Sequence, residues 1–117
     1  MSIKIENPHG QIEISAKFLA NSAGYVATKC YGVVGMVQRG SKDGIAKLLK
    51  IENMDKGVKV RTNDNVISID LHIMAEYGIN INTVCQSIKE NVKYHIESQT
   101  QQKIKEVNVF VESVRVN

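Results

Sequence analysis

The sequence predicts an α+β fold in which two main helices pack on one face of a mixed β-sheet. Three observations predict it: an alternating stretch at 66–77, helical stretches with apolar stripes at 16–30 and 81–97, and a valine-rich stretch at 107–116. Alternation with period two is typical of half-buried strands, and apolar residues three or four apart are typical of amphipathic helices. The element order resembles βαββαβ with an insertion, within a single domain spanning residues 1–117.

The first half of the chain predicts two strands flanking a helix. Residues 10–14 alternate, and Ser15 can cap the helix that follows because its hydroxyl can accept a hydrogen bond from an amide one turn later. Residues 33–38 predict a second strand, residues 45–50 a short helix, and residues 53–57 a turn. The helix carries a stripe of mostly small residues: Ala16, Leu19, Ala20, Ala23, Ala27 and Cys30.

A hairpin leads into the longest predicted strand. Residues 57–62 alternate, 63–65 can turn, and 66–77 alternate again. One parity of the long strand is apolar and predicts a buried face, formed by Ile67, Ile69, Leu71, Ile73, Ala75 and Tyr77. The other parity is mostly polar and predicts an uncovered face, formed by Ser68, Asp70, His72 and Glu76 with the exceptions Val66 and Met74.

The last predicted elements are a helix and a strand. Thr83 with Gln86 matches a capping box, and Asn80 or Asn82 could cap instead. In the final strand the parity of the valines changes after Val111, which predicts a β-bulge near Glu112 and Ser113. A right-handed crossover would place this strand parallel to the long one. The helix has an apolar stripe: Ile81, Val84, Cys85, Ile88, Val92 and Ile96.

Composition predicts a soluble cytoplasmic protein. The chain has 117 residues, 43% hydrophobic residues and a formal charge of +3, which is ordinary for a globular domain and does not by itself indicate nucleic-acid binding. The N-terminal residues lack the apolar core of a signal peptide, and no stretch approaches the roughly 20 apolar residues of a membrane span.

Catalytic and metal-binding patterns are absent from the sequence. The three histidines lack the i, i+4 spacing of a helical zinc site, there is no CxxC, and no serine lies in a GxSxG elbow. The glycine-rich segments at 32–35 and 40–44 match neither dinucleotide nor phosphate-loop patterns. The sequence therefore predicts no catalytic residue, no cofactor and no metal site.

The uncovered strand face is the best candidate for function. We predict an interaction face for a protein partner or for a second copy of the chain, formed by Ser68, Asp70, His72, Met74 and Phe110. Weak nucleic-acid binding by the same face is the alternative, although Phe110 is the only aromatic residue pointing outward and Asp70 would offset nearby cations. A small ligand or lipid beneath the helices is a third hypothesis, for which the stripe of small residues is the only indication.

Several segments together resemble the alkaline shock protein family, small envelope-stress proteins of Gram-positive bacteria. They are ATKCYGVVGM at 27–36, IDLHI at 69–73, YGINI at 77–81 and VNVFV at 107–111, in the family's order. The resemblance covers nearly the whole domain. The short termini are most similar to the subgroup encoded beside a dihydroxyacetone-kinase-like fatty-acid kinase.

The resemblance implies a non-enzymatic scaffold or regulatory protein in envelope homeostasis or in fatty-acid and lipid metabolism. It implies a cytoplasmic location, with some members held at the inner face of the membrane by a membrane-anchored partner. The partner expected here is accordingly such an anchor or a protein of fatty-acid metabolism. The family offers no catalytic residues to transfer to this chain.

Overall fold

The computed structural model describes residues 2–7, 10–38, 48–63 and 66–116. It confirms the predicted α+β fold, with a mixed sheet, a separate two-stranded hairpin and two main helices. In chain order the elements are β1 (Ser2–Asn7), β2 (Gly10–Ser15), α1 (Ala16–Thr28), β3 (Val33–Met36), a 3₁₀ helix (Ile51–Gly57), β4 (Val58–Asn63), β5 (Val66–Glu76), α2 (Ile81–Thr100) and β6 (Ile104–Arg115).

Strand β5 is the centre of the main sheet. Strand β6 runs parallel to it along its whole length, as predicted, and therefore occupies one edge of β5. Strands β4 and β3 pair antiparallel with the first and last parts of β5, so they follow one another along its other edge. The bulge predicted near Glu112 is confirmed, because Ile73 lies opposite Val111 whereas Met74 lies opposite Ser113.

The core lies between one face of the sheet and the two helices. Five residues of the apolar parity of β5 are fully buried: Ile67, Ile69, Leu71, Ile73 and Ala75. Four of them, Ile67, Ile69, Leu71 and Ile73, form one cluster with small residues of α1 and with the buried stripe of α2. Burial of such side chains stabilises the fold by about 1.5–3 kcal/mol each. Because both helices use the same face, the opposite face of the sheet is left without helices.

Side-chain caps define where the two helices begin. The Ser15 hydroxyl accepts a hydrogen bond from the Phe18 amide at 3.2 Å, as the sequence predicts. Of the alternatives for α2, Asn80 is the cap, and its Oδ1 accepts a hydrogen bond from the Thr83 amide at 3.1 Å. Each cap satisfies an amide that has no partner within its own helix.

The structure differs from the sequence prediction near the N-terminus. Strand β1 was not predicted, and it pairs with β2 in a hairpin of its own, from Ser2 opposite Ser15 to Asn7 opposite Gly10. The predicted first strand therefore exists as β2, but its pairing partner is β1 and not the main sheet. The alternation of Ile3 and Ile5 with polar residues is the signal that would have indicated this strand.

Further differences concern two short segments and the end of β5. The short helix predicted at 45–50 lies partly outside the described residues, and Leu48 forms an isolated bridge with Val37 instead. The 3₁₀ helix occupies the segment predicted as a turn. Tyr77, assigned to the buried parity, is 73% exposed because β5 ends one residue before it.

Gly32 and Gly78 both adopt positive φ angles, of 87° and 85°. Their surroundings differ. A Cβ atom at Gly32 would lie 2.8 Å from Ile79 Cδ1 and 2.8 Å from Val84 Cγ2, whereas a Cβ atom at Gly78 would meet nothing within 4 Å. Substitutions at the two positions therefore separate the cost of a left-handed backbone from the cost of steric overlap.

We expect Gly78→Ala to lower the free energy of unfolding by about 1 kcal/mol, because only the left-handed backbone is penalised. Gly32→Ala should lower it by roughly 2–4 kcal/mol, because the added methyl group also displaces core side chains. Urea denaturation of both variants and the wild type measures the difference. Equal losses in the two variants would contradict this packing around Gly32.

Candidate functional site

The face of the main sheet opposite the helices is the candidate functional site, and we call it the outer sheet face. It combines outward side chains from all three strands that run side by side. Pairing places Arg61 opposite Ser68, Asp70 opposite Asn108 and His72 opposite Phe110. Its central members are Arg61 of β4, Ser68, Asp70, His72 and Met74 of β5, and Asn108, Phe110 and Glu112 of β6.

Asp70 is the centre of a hydrogen-bonded group that joins the three strands. Its Oδ1 accepts a hydrogen bond from Arg61 Nη2 at 2.8 Å and another from Asn108 Nδ2 at 3.0 Å. The same Arg61 nitrogen lies 3.8 Å from Glu106 Oε1. Because Arg61 and Asn108 belong to the strands on either side of β5, the Asp70 carboxylate links β4 to β6 across the outer sheet face.

His72 forms a second group with β6. Its Nδ1 lies 2.7 Å from Glu112 Oε1, and its ring stacks on Phe110 with centroids 4.9 Å apart and an interplanar angle of 16°. The bulge makes this arrangement possible. Glu112 is the extra residue on β6, so its side chain lies on the same face of the sheet as that of Phe110. The imidazole is thus held by a carboxylate and by an aromatic face at the same time.

The end of the outer sheet face near β3 is apolar. Gly35 lies opposite Met74 in the antiparallel pair, and directly opposite residues share a face of the sheet. A Cβ atom at Gly35 would lie 2.9 Å from Leu48 Cδ2, so Leu48 covers the backbone beside Met74. Leu48 falls within the segment predicted as a short helix, whereas it bridges Val37 and is 43% exposed on this face.

The five residues predicted as the interaction face share one side of the sheet, but their exposure is uneven. Phe110 is 46% exposed, whereas Ser68 is 8% exposed, and the side chains of Asp70 and His72 are 14% and 15% exposed. Their neighbours on β4 and β6 cover them. Asn108 and Leu48 were missed by the sequence analysis, although the alternation of residues 107–111 would have placed Asn108 outward.

The environment of Asp70 shifts its acidity. Partial burial alone would raise the pKa of the Asp70 carboxyl, because desolvation disfavours the charged form. The hydrogen bonds from Asn108 and Arg61, with the positive charge of Arg61 and the influence of His72, outweigh burial and hold the pKa below its usual value. Asp70 is therefore ionised at neutral pH and at moderately acidic pH.

The outer sheet face combines hydrogen-bonded polar groups with apolar side chains. Within the described ranges, no group of three or more His, Cys, Asp and Glu side chains converges in a way that could hold a metal ion. Two hydrogen-bonded polar groups next to exposed apolar side chains offer a partner both specific contacts and apolar surface. Neither α1 nor α2 combines the length and apolar character that crossing a bilayer requires.

We expect Asp70→Asn to lower the free energy of unfolding at pH 7 by about 1 kcal/mol, because charge-assisted hydrogen bonds become neutral ones. A folded-state pKa below the unfolded value of about 4 contributes stability above pH 4, and the contribution is lost as the pH falls through the folded pKa. The difference between wild type and variant should therefore shrink below pH 4. Urea denaturation across pH 2–7 tests this, and a difference independent of pH would contradict it.

Comparison with known proteins relates the whole fold to one family. The model of the alkaline shock protein 23 family, described as having a cell envelope-related function, matches residues 4–116. YloU of Bacillus subtilis (strain 168) is 38% identical over 117 residues, covering 99% of this chain and 98% of its own length. A stress response regulator gls24 homolog of Streptococcus pyogenes serotype M3 (strain MGAS315) is 27% identical over 106 residues, covering 91% of this chain and 59% of that protein.

Among solved structures, a MamM CTD variant superposes with a TM-score of 0.50 and 15% identity, covering 83% of this chain and 93% of that chain. At this identity the likeness concerns the fold alone. The family match extends over almost the entire sequence, and it includes the strands that build the outer sheet face. The chain belongs to the alkaline shock protein 23 family, whose function is related to the cell envelope.

Proposed function

We propose that the chain is a non-enzymatic scaffold or regulatory protein that acts through protein contacts made by the outer sheet face. The observation that carries the proposal is the organisation of this face. Helices cover the other side of the sheet, while on this side Asp70 and His72 are held in place by partners on neighbouring strands. Ordered side chains lose little conformational freedom on binding, which favours recognition.

The character of the face favours a protein partner over nucleic acid. Arg61 is already paired with Asp70, so it is not free to contact a phosphate without losing a contact. Phosphate binding needs uncompensated positive charge. Exposed Leu48 and Phe110, with half-buried Met74 beside them, instead offer the apolar and aromatic surface that is typical of protein interfaces.

The family suggests the process in which this face acts. The family description supports a role in the cell envelope, and the names of the gls24 homologs add stress regulation in those proteins. We propose a cytoplasmic location, with recruitment to the inner face of the membrane by an anchored partner. A partner in fatty-acid or lipid metabolism is the second form of the proposal, based on the resemblance to the subgroup encoded beside a fatty-acid kinase.

A second copy of the chain is a further partner that this face could bind. Met74, Leu48 and Phe110 could be buried against their equivalents, and Arg61 and Glu112 carry opposite charges at separate points of the same face. Such self-complementarity is the requirement for a two-fold interface.

Photo-cross-linking in living cells tests the proposal directly. We expect a benzophenone amino acid at position 110 to form one or a few discrete protein adducts, because Phe110 is an exposed aromatic residue of the outer sheet face. The same amino acid at position 94 is the matched control, since Tyr94 is also an exposed aromatic residue but lies on α2. Mass spectrometry of the adducts identifies the partner, including a copy of the chain.

Identical adducts from positions 110 and 94, or no protein adduct from position 110, would contradict the assignment of this face. Adducts with nucleic acid at position 110 would favour the alternative function. Circular dichroism and thermal denaturation of both substituted proteins confirm that the comparison is made between folded chains.

A further inference from the structure

A second surface lies along the outer edge of β6, the edge that does not bond to β5. Strand β6 bonds to β5 on one side, and within the described residues no strand pairs with its other side. An unpaired strand edge exposes backbone amides and carbonyls that can accept another extended chain. Bulges at Lys105 and Glu112 interrupt the strand, so residues 106–111 form its regular part.

Two open depressions adjoin this edge: the larger lies at the start of β6, bordered by β4, the start of β5 and Lys93 of α2, and the smaller lies between β6 and α2. Their volumes are about 640 and 390 Å³, and they meet at Lys93, Lys105 and Glu106. The first continues past Lys103 toward β4, and the second continues past Lys89 along α2. Together they form a groove that follows the edge of β6, which we call the β6 groove.

The β6 groove carries more positive than negative charge, with four lysines against two glutamates. Lys89, Lys93, Lys103 and Lys105 line it, and within the part of the chain that the structure describes none of them is within salt-bridge distance of a carboxylate. Of the two acidic residues in the groove, Glu90 accepts a hydrogen bond from Gln86, and Glu106 lies 3.8 Å from Arg61. The groove therefore presents an excess of cations beside free backbone groups.

We propose that the β6 groove binds an acidic extended segment of a partner protein, which adds to the sheet as a further strand along residues 106–111. Its backbone pairs with the free edge of β6, and its carboxylates pair with the lysines on either side. This mode of recognition combines main-chain hydrogen bonds with side-chain specificity. The four lysines would repel the same lysines of a second copy, so the charge excludes self-pairing and selects an acidic strand.

Nuclear magnetic resonance of the full ¹⁵N-labelled chain tests this proposal. The probe is a capped peptide of alternating glutamate and valine, as long as the regular part of β6, and the control peptide has lysine in place of glutamate. We expect the acidic peptide to shift the amide resonances of residues 106–111 and to slow their hydrogen exchange. The lysine peptide should do neither, and binding of the acidic peptide should weaken as salt is added.

Matched variants locate the binding. Lys89→Glu with Lys93→Glu should weaken binding of the acidic peptide by about tenfold, because two attractive charge pairs become repulsive. Lys50→Glu with Lys56→Glu makes the same change of charge at the two ends of the 3₁₀ helix and should leave binding unchanged. Thermal denaturation confirms that both variants are folded.

Equal binding of both peptides, or equal losses in both double variants, would overturn the proposal. So would binding of the acidic peptide without protection of the β6 amides. An oligonucleotide or a vesicle with anionic lipid that binds the groove more tightly than the peptide, again without such protection, would assign it to polyanions instead.

Discussion

The rest of the structure depends on β5 being hydrogen-bonded along both edges while helices cover only one of its faces. Strand β6 on one side, and β4 and β3 on the other, fix which way every side chain of β5 points. A shift of one residue would exchange Ile69 and Leu71 for Asp70 and His72 in the core, at a prohibitive cost in burial of polar groups. The alternation of β5 thereby determines both the core and the outer sheet face.

The polar residues of the outer sheet face remain ordered because they bind one another. Asp70 accepts hydrogen bonds from side chains of β4 and β6. The His72 ring contacts a carboxylate of β6 and stacks on an aromatic ring of β6. Isolated ion pairs at surfaces contribute little to stability. Their main effect here is to hold defined side chains in a defined arrangement beside Met74 and Phe110, which is what a recognition surface needs.

Sequence patterns predicted the parts of the fold that depend on local periodicity. The alternation in β5, the caps of α1 and α2 and the bulge at Glu112 are each indicated by the pattern of a few neighbouring residues. The position of Leu48 does not, because its contact with Gly35 depends on how β3 docks against β5. Likewise, the sequence indicates a strand at 10–14 but not its partner. Whether β2 pairs with β1 or with the main sheet depends on the three-dimensional arrangement of the strands.

An affinity pull-down from native lysate shows whether the outer sheet face recognises a protein. The bait is the wild type, the variant Asp70→Lys with His72→Glu, or the control Glu52→Lys with Lys56→Glu, which also replaces one acidic residue by lysine and introduces one glutamate, on the 3₁₀ helix. We expect a discrete partner that is captured by the wild type and the control and lost with the outer-face variant, all three being folded by circular dichroism. Undiminished capture by the folded outer-face variant would overturn the proposal.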